Sequence, residues 1–448
     1  MTAALIAVAV LLLVGFPAAV LSNREVGPGS GLALGLLFGI GIVSNEFFIL
    51  SAVGVPWFPL AFPLLLGSTI LLSWFFMVQR GSLPSFRTPL FRPFSLLAVV
   101  VWLAIGAVLA GYALFATMAR PWEADFIGIW GLKGKIFWLH GGIDWGFLAN
   151  PWNQFCHPDY PLLLPLTFDF ISAFAGEWNG RFAGILYPFL SLACALLLAH
   201  LFRDELKSPA RTAIAVLALL GVVITPWIGI ADGPLVVFGG LALLFMRRGL
   251  QSASSNGSML TGVVLLGLAA QIKNEGLTLV VAAILAMLMV TRNLRSLLAM
   301  WPAVALAVPW QIVRALLDLQ SDLWSGPTLA HIQAHLLHPT AFLDAIAHLP
   351  IGRPLFWGGL IVGFAVIARR IFTRERFVLS ALAFQFCFYI LAYLATPHSI
   401  VWQVRWSWDR VVGQLAMPLA AVIVLWMLRE IGETRQEPLP EKAGQAGS

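Results

Sequence analysis

Runs of roughly twenty apolar residues recur from one end of this chain to the other. Twenty helical residues rise about 30 Å, the thickness of the hydrocarbon layer of a bilayer. Within that layer every backbone N–H and C=O must find its partner inside the protein, so only helices and closed barrels cross it. A barrel would be written as short segments of alternating polarity, and the chain has none. The expected class is an all-α polytopic membrane protein. Composition agrees: 60% of residues are hydrophobic and 11% charged, against about 25% charged in a soluble domain.

The apolar runs lie near 3–21, 31–51, 59–78, 96–118, 182–202, 212–231, 234–246, 259–272, 276–291, 297–316, 354–368, 377–396 and 411–428, about 13 transmembrane helices in all. Basic residues fall after every second run: Arg24; Arg80, Arg87 and Arg92; Arg203, Lys207 and Arg211; Arg247 and Arg248; Arg292 and Arg295; Arg369, Arg370, Arg374 and Arg376; Arg429. Loops that carry this excess face the cytoplasm, which puts the N-terminus outside and the C-terminus inside. The first run has no basic segment before it and reads as a retained helix rather than a cleaved leader. Three regions follow: N-terminal spans over 1–95, a core over 96–428, and a polar, proline-containing cytoplasmic tail over 429–448 that is expected to be disordered.

The net charge of +6 belongs to those cytoplasmic loops, not to a nucleic-acid surface. Cys156, Cys194 and Cys387 have neither the spacing of a disulfide framework nor that of a thiolate metal site. No internal repeat is visible, nor the paired broken helices of an inverted-repeat transporter. A phosphate-binding Walker loop, a dinucleotide fingerprint and a serine elbow are all missing from the sequence.

The external loops 119–180, 317–353 and 397–410 hold the groups that can do chemistry. "EADFIGIW" places Glu123 and Asp125 directly after a span. A carboxylate at the bilayer boundary is costly unless it is hydrated, paired or used. Next comes "GLKGKIFWLH", where Trp130, Lys133, Phe137 and Trp138 recur at helical spacing beside Lys135. That pattern suits a helix lying in the interface, or simply an aromatic belt at the headgroups. In "HPDYPLLLP" the prolines break helix and hold His157, Asp159 and Tyr160 in a stiff turn. The turn serves either chain re-entry or substrate binding. "QIKNEGLTL" interrupts two apolar runs with Lys273, Asn274 and Glu275, and Gly276 permits a tight turn. Lys273 pairs with Glu275 or receives a phosphate. In "VRWSWDR" Arg405 and Asp409 stand i,i+4 and pair if helical, while Arg410 enters the last run. "HIQAHLLH", with His331, His335 and His338, has a zinc-like i,i+4 pair but no local acid, and fits an amphipathic surface helix.

External acids beside a lysine and arginines suggest a transferase fed by the membrane, since no nucleotide supply exists outside the cytoplasm. A polyprenyl-phosphate sugar meets that need: cations stabilise the phosphate as it leaves, and a carboxylate takes the acceptor's proton. The motifs, in their order and spacing, resemble the GT-C-type integral membrane glycosyltransferases, in the group similar to dolichyl-phosphate-mannose protein mannosyltransferases (family 39-like). The residues that carry this are "DFIGIWGLKGKIF", "HPDYPLLLP", "KNEGL" and "SWDRVVGQLAMP", over about 96–428. The resemblance implies a GT-C-like bundle with an external first catalytic loop carrying interfacial helices. It puts the family acid on Asp125 as base and makes Glu123 an accessory acid. Donor phosphate falls to Lys273, Arg405 and Arg410, the last opening the final helix. Substrate falls to His157, Asp159, Tyr160 and Glu275. Glu123 and Asp125 are the candidate ligands should a divalent metal ion take part, a point the resemblance leaves open.

Three spans precede the helix that feeds the loop, and no large soluble C-terminal domain follows, unlike many members. The acceptor is therefore an envelope lipid, a saccharide or a separately recruited protein. The expected setting is a bacterial inner membrane with the site facing the periplasm. A polyprenyl-lipid transporter or flippase is the alternative, with its polar groups at mid-membrane. A non-catalytic envelope-assembly partner is the other.

Overall fold

The computed structural model describes residues 2–81, 95–119, 121, 123–224, 228–252, 256–321, 328–337, 340, 343–344 and 354–434. Helix is the only regular element among them. Each of the thirteen apolar runs contains a helix among the described residues, the run 212–231 only as far as Val223. Among the described residues, eleven helices are long and apolar enough to cross a bilayer. Two further runs form the shorter helices Pro209–Val223 and Asn256–Ala270, each of 15 residues. That length rises only about 22 Å.

Burial separates the helices into a core and a shell. Gly180–Leu206 and Asp232–Gln251 are about three-quarters buried over their most apolar windows, whereas Ala61–Gln79, Leu96–Met118 and Pro354–Arg374 bury less than a quarter of theirs. The outer helices present Leu71, Leu96, Leu103, Met118, Leu355 and Val366 outwards. An apolar exterior of that extent belongs in lipid. The first two helices, Thr2–Ser22 and Pro28–Ala52, pack most intimately of all. A Cβ on Gly15 would stand 1.9 Å from the Gly35 carbonyl oxygen and 2.3 Å from the Gly39 nitrogen. Small residues let membrane helices approach at this range.

Residues 119–180 fold back into the bundle. A π-turn, Phe126–Trp130, runs into the helix Gly131–His140, and after short turns comes the buried helix Leu163–Ala173. The expected interfacial aromatic face is corrected here. Trp130, Lys133 and Phe137 are all buried, Trp138 is half-buried, and the Gly131–His140 helix packs on Leu163–Ala173. Pro165 sits in the first turn of Leu163–Ala173, where its missing N–H has no helical partner to lose.

The end of the chain differs too. Of residues 397–410 only 397–399 lie in a loop: one helix runs from Ile400 to Thr434. Arg410 therefore lies inside the last helix and does not open it. Most of 317–353 and the tail from 435, including His338, lie outside the described residues. Cys156, Cys194 and Cys387 are free thiols.

Candidate functional site

Five charged side chains from four parts of the chain meet at one end of the bundle. Asp125 stands at the start of the π-turn, and Phe126 fixes it there. The Phe126 ring is buried, lies 5.8 Å from Phe168, and fills the space where Gly131 and Gly229 carry no side chain. Asp125 Oδ2 pairs with Arg410 Nη2 at 2.9 Å. Arg410 Nε lies 3.5 Å from Asp232 Oδ2. Asp232 begins its helix, where a negative charge complements the helix dipole. Its other oxygen faces Lys273 Nζ at 3.3 Å, and Lys273 reaches Glu275 at 2.8 Å.

Lys273 and Asp232 form the buried middle of the ladder, and Arg410 with Asp125 its more open end. Lys273 is 5% exposed, Asp232 12%, Asp125 25% and Arg410 34%. Neutral groups hold the buried middle. Gln414, one turn after Arg410, donates to Asp232 at 2.7 Å and accepts from Tyr389 at 2.7 Å. Gln385 donates to the Glu275 carbonyl and to Thr278. Glu275 and Lys273 owe their position to Gly276, where a Cβ would fall 1.9 Å from the Ala269 carbonyl oxygen. The glycine is needed for this close approach, not for a left-handed turn.

Glu123 is half-buried beside the pair, and its Oε1 finds no hydrogen-bond partner among the described residues. Burial raises its pKa, and the Asp125 charge raises it further against the pull of Arg410. Glu123, Asp125, Asp232 and Glu275 thus face only Lys273 and Arg410 among the described residues. Two remedies suit this surplus of negative charge: a proton on Glu123, or a cation between Glu123 and Asp125. Among the described residues no group of three His, Cys, Asp or Glu side chains converges as a metal site. His335 gives its Nδ1–H to the Leu394 carbonyl at 2.8 Å.

A cleft of about 100 Å³ opens against the exposed end of the ladder. Asp232, Asp409 and Arg410 line one side. Val222, Val223, Val236, Phe356 and Trp357 form an apolar remainder. The space matches a few water molecules at about 30 Å³ each. It suits a small polar head whose apolar tail continues along the wall.

The "HPDY" turn stands beside the ladder, locked by buried contacts. Asp159 is fully buried, accepts from Asn274 at 2.7 Å, and takes the Trp310 indole N–H on its carbonyl at 3.0 Å. Burial raises its pKa against the opposing pull of Arg314 and Asn274. Tyr160 stacks between Trp130 at 5.4 Å and His157 at 4.6 Å. Beneath them Lys133 donates to the His157 carbonyl and lies 5.8 Å from the Tyr160 ring centre. Burial pushes the Lys133 pKa down to about 8. His157 adopts a left-handed φ of 49° to make the turn.

Of the residues singled out from sequence, the fold unites Asp125, Lys273, Glu275 and Arg410, with Glu123 adjoining. Asp159 binds the second turn to the third through Asn274. Arg405 is not brought in. It is exposed on the last helix and makes no ion pair with Asp409 among the described residues, while Asp409 lines the cleft. Asp232 and Lys133 went unassigned in the sequence. The "DGP" turn before an apolar run was the visible mark of Asp232, and a lysine between two glycines on an aromatic face that of Lys133. Comparison with family models, with curated proteins and with solved structures found no match.

Proposed function

We propose that this protein is a membrane glycosyltransferase that moves a sugar from a polyprenyl-phosphate donor to an envelope acceptor on the periplasmic face of a bacterial inner membrane. The observation that carries this is the Asp125–Arg410–Asp232–Lys273 ladder at the mouth of a cleft with apolar walls. A lipid-linked phosphate needs both halves of that arrangement.

The donor phosphate engages Arg410, whose forked guanidinium suits phosphate oxygens. Arg410 must release Asp125 to do so, and that frees the carboxylate to accept a proton. The acceptor hydroxyl gives its proton to Asp125, and its oxygen bonds to the anomeric carbon. The bond from that carbon to the phosphate oxygen breaks, and its electron pair leaves on the polyprenyl phosphate. A single displacement inverts the anomeric centre. Charge building on the leaving phosphate is met by Arg410 and Lys273. Glu123 orients the acceptor or holds a divalent cation.

The test is sugar transfer by purified protein in lipid, with a panel of polyprenyl-phosphate sugars and envelope-lipid acceptors. Release of polyprenyl phosphate by wild type, lost in a folded Asp125→Asn variant, supports the enzyme and its base. Transfer that persists unchanged in Asp125→Asn removes the base. Lipid movement across the bilayer with no transfer favours a flippase. Adding EDTA separates the two remedies at Glu123: lost turnover assigns a cation, and unchanged turnover a proton.

A further inference from the structure

At the other end of the bundle a cleft of about 980 Å³ opens between three helices. Asp232–Gln251 contributes Arg247 and Gln251. Pro354–Arg374 contributes Arg369, Arg370, Thr373 and Arg374. The last helix adds Trp426 and Arg429. Arg410 and Arg429 share that helix, 19 residues apart. At 1.5 Å per residue the separation is about 28 Å, close to one hydrocarbon thickness.

One wall of the cleft is fixed and neutral. Arg247 donates to Glu375 at 2.5 and 2.7 Å and to Glu205 at 2.5 and 3.0 Å. The Trp426 indole N–H donates to Glu375 at 2.8 Å. Arg429 lies 4.4 Å over the Trp426 ring and 3.4 Å from Glu205. Two guanidiniums here face two carboxylates.

The opposite wall is not balanced. Arg370 pairs with Glu430 at 2.5 Å. Arg369 and Arg374 are exposed and have no acid partner among the described residues. Helical spacing puts Arg369 with Thr373, and Arg370 with Arg374, on neighbouring rows of one face. The helix that carries them buries less than a quarter of its most apolar window, as an outer helix does. A basic excess on one side of a membrane protein needs only scattered arginines. Here they converge on one cavity, whose other wall carries Trp426 and Arg429.

We propose that this cleft binds the headgroup of an anionic phospholipid bearing two phosphates, with Arg369 and Arg374 as its ligands. Two unmatched guanidiniums balance two phosphodiester charges, and each fork accepts a phosphate through paired N–H donors. Basic pockets between membrane helices suit such headgroups.

The test uses the full chain in nanodiscs of phosphatidylcholine doped with diphosphatidylglycerol, with lipid retention read by native mass spectrometry. Wild type retains one diphosphatidyl lipid. Retention falls about tenfold or more in an Arg369→Gln/Arg374→Gln variant. An Arg292→Gln/Arg295→Gln variant, altered at the same end but outside the cleft, retains it like wild type. Inorganic phosphate and glycerol phosphate do not displace the lipid. Equal retention in the cleft variant, or equal loss in the control, would overturn the proposal. Displacement by the soluble phosphates would overturn the lipid as ligand. Equal retention of a single-phosphate lipid would overturn the two-phosphate assignment.

Discussion

Arg410 Nη2 stands 2.9 Å from Asp125 Oδ2, so a cation inside the last helix holds the acid of the first long loop. The contact ties the loop to the bundle. In the proposed reaction it also blocks the base until a donor phosphate takes the arginine. Asp125→Asn is expected to lower turnover by roughly 10²–10⁴-fold, the usual worth of a positioned general base. Arg410→Lys is expected to keep the charge but lose simultaneous reach to Asp125 and Asp232, raising KM for the donor. Steady-state kinetics on both variants, with circular dichroism to confirm folding, checks the split.

Arg405 offers the contrast. It is five residues from Arg410 yet exposed and outside the ladder. Arg405→Ala is expected to change stability by no more than about 0.5 kcal/mol, as for an unpaired surface residue. Donor KM should also stay at the wild-type value. A rise in KM comparable to that of Arg410→Lys would place Arg405 on the phosphate after all.

Asp232 is the buried keystone. It faces Lys273, Arg410 and Gln414 together. Asp232→Ala leaves Lys273 with Glu275 as its remaining acid. Removing one partner of a buried ion pair costs about 3–5 kcal/mol. Thermal unfolding in detergent should show a clear fall in Tm. Asp232→Asn, which keeps the shape and an acceptor oxygen for Gln414, should fall less. Equal Tm for wild type and Asp232→Ala would mean that the ladder contributes nothing to stability.

Gly276→Ala tests the third turn. The added methyl would fall 1.9 Å from the Ala269 carbonyl oxygen, so the backbone of either helix end must shift. Strain or displacement of this kind typically costs 1–3 kcal/mol. The shift should also separate Lys273 from Asp232 and weaken donor binding. A variant with wild-type Tm and donor KM would show that the turn relaxes without disturbing the lysine.

The membrane class and the helix positions were legible because apolar runs of bilayer length have few other uses. Asp125, Lys273, Glu275 and Arg410 were legible as polar groups interrupting or bounding such runs. Their joining through Asp232 was not, since a single acid before an apolar run looks like any helix start. Arg405 and Arg410 share the same local pattern, and only the rotation of the last helix decides which one faces the bundle. Lys133 misled for another reason. Helical spacing gives one face to a lysine and its aromatic neighbours, but not whether that face meets headgroups or another helix. Leu163–Ala173, which covers it, lies well downstream.

Burial of Lys133 carries a stability signature of its own. Its pKa falls from 10.5 to about 8 because the charged form loses its water. Below 8 the folded and unfolded chains both hold this proton, and the penalty for burying charge is complete. Between about 8 and 10.5 the unfolded chain holds more protons, so this group makes stability rise with pH. Above 10.5 neither state holds the proton, and the gain is finished. Lys133→Met keeps the length and removes the charge, so it should abolish this part of the pH dependence. The measurement is Tm in detergent from about pH 7 to 11, wild type minus variant, which cancels tyrosines and other lysines titrating in that range. The difference should shift in favour of wild type as pH rises through the window. A difference that stays constant would mean that the Lys133 ammonium is no less stable in the fold than in water, with the His157 carbonyl and the Tyr160 and Trp130 rings compensating fully.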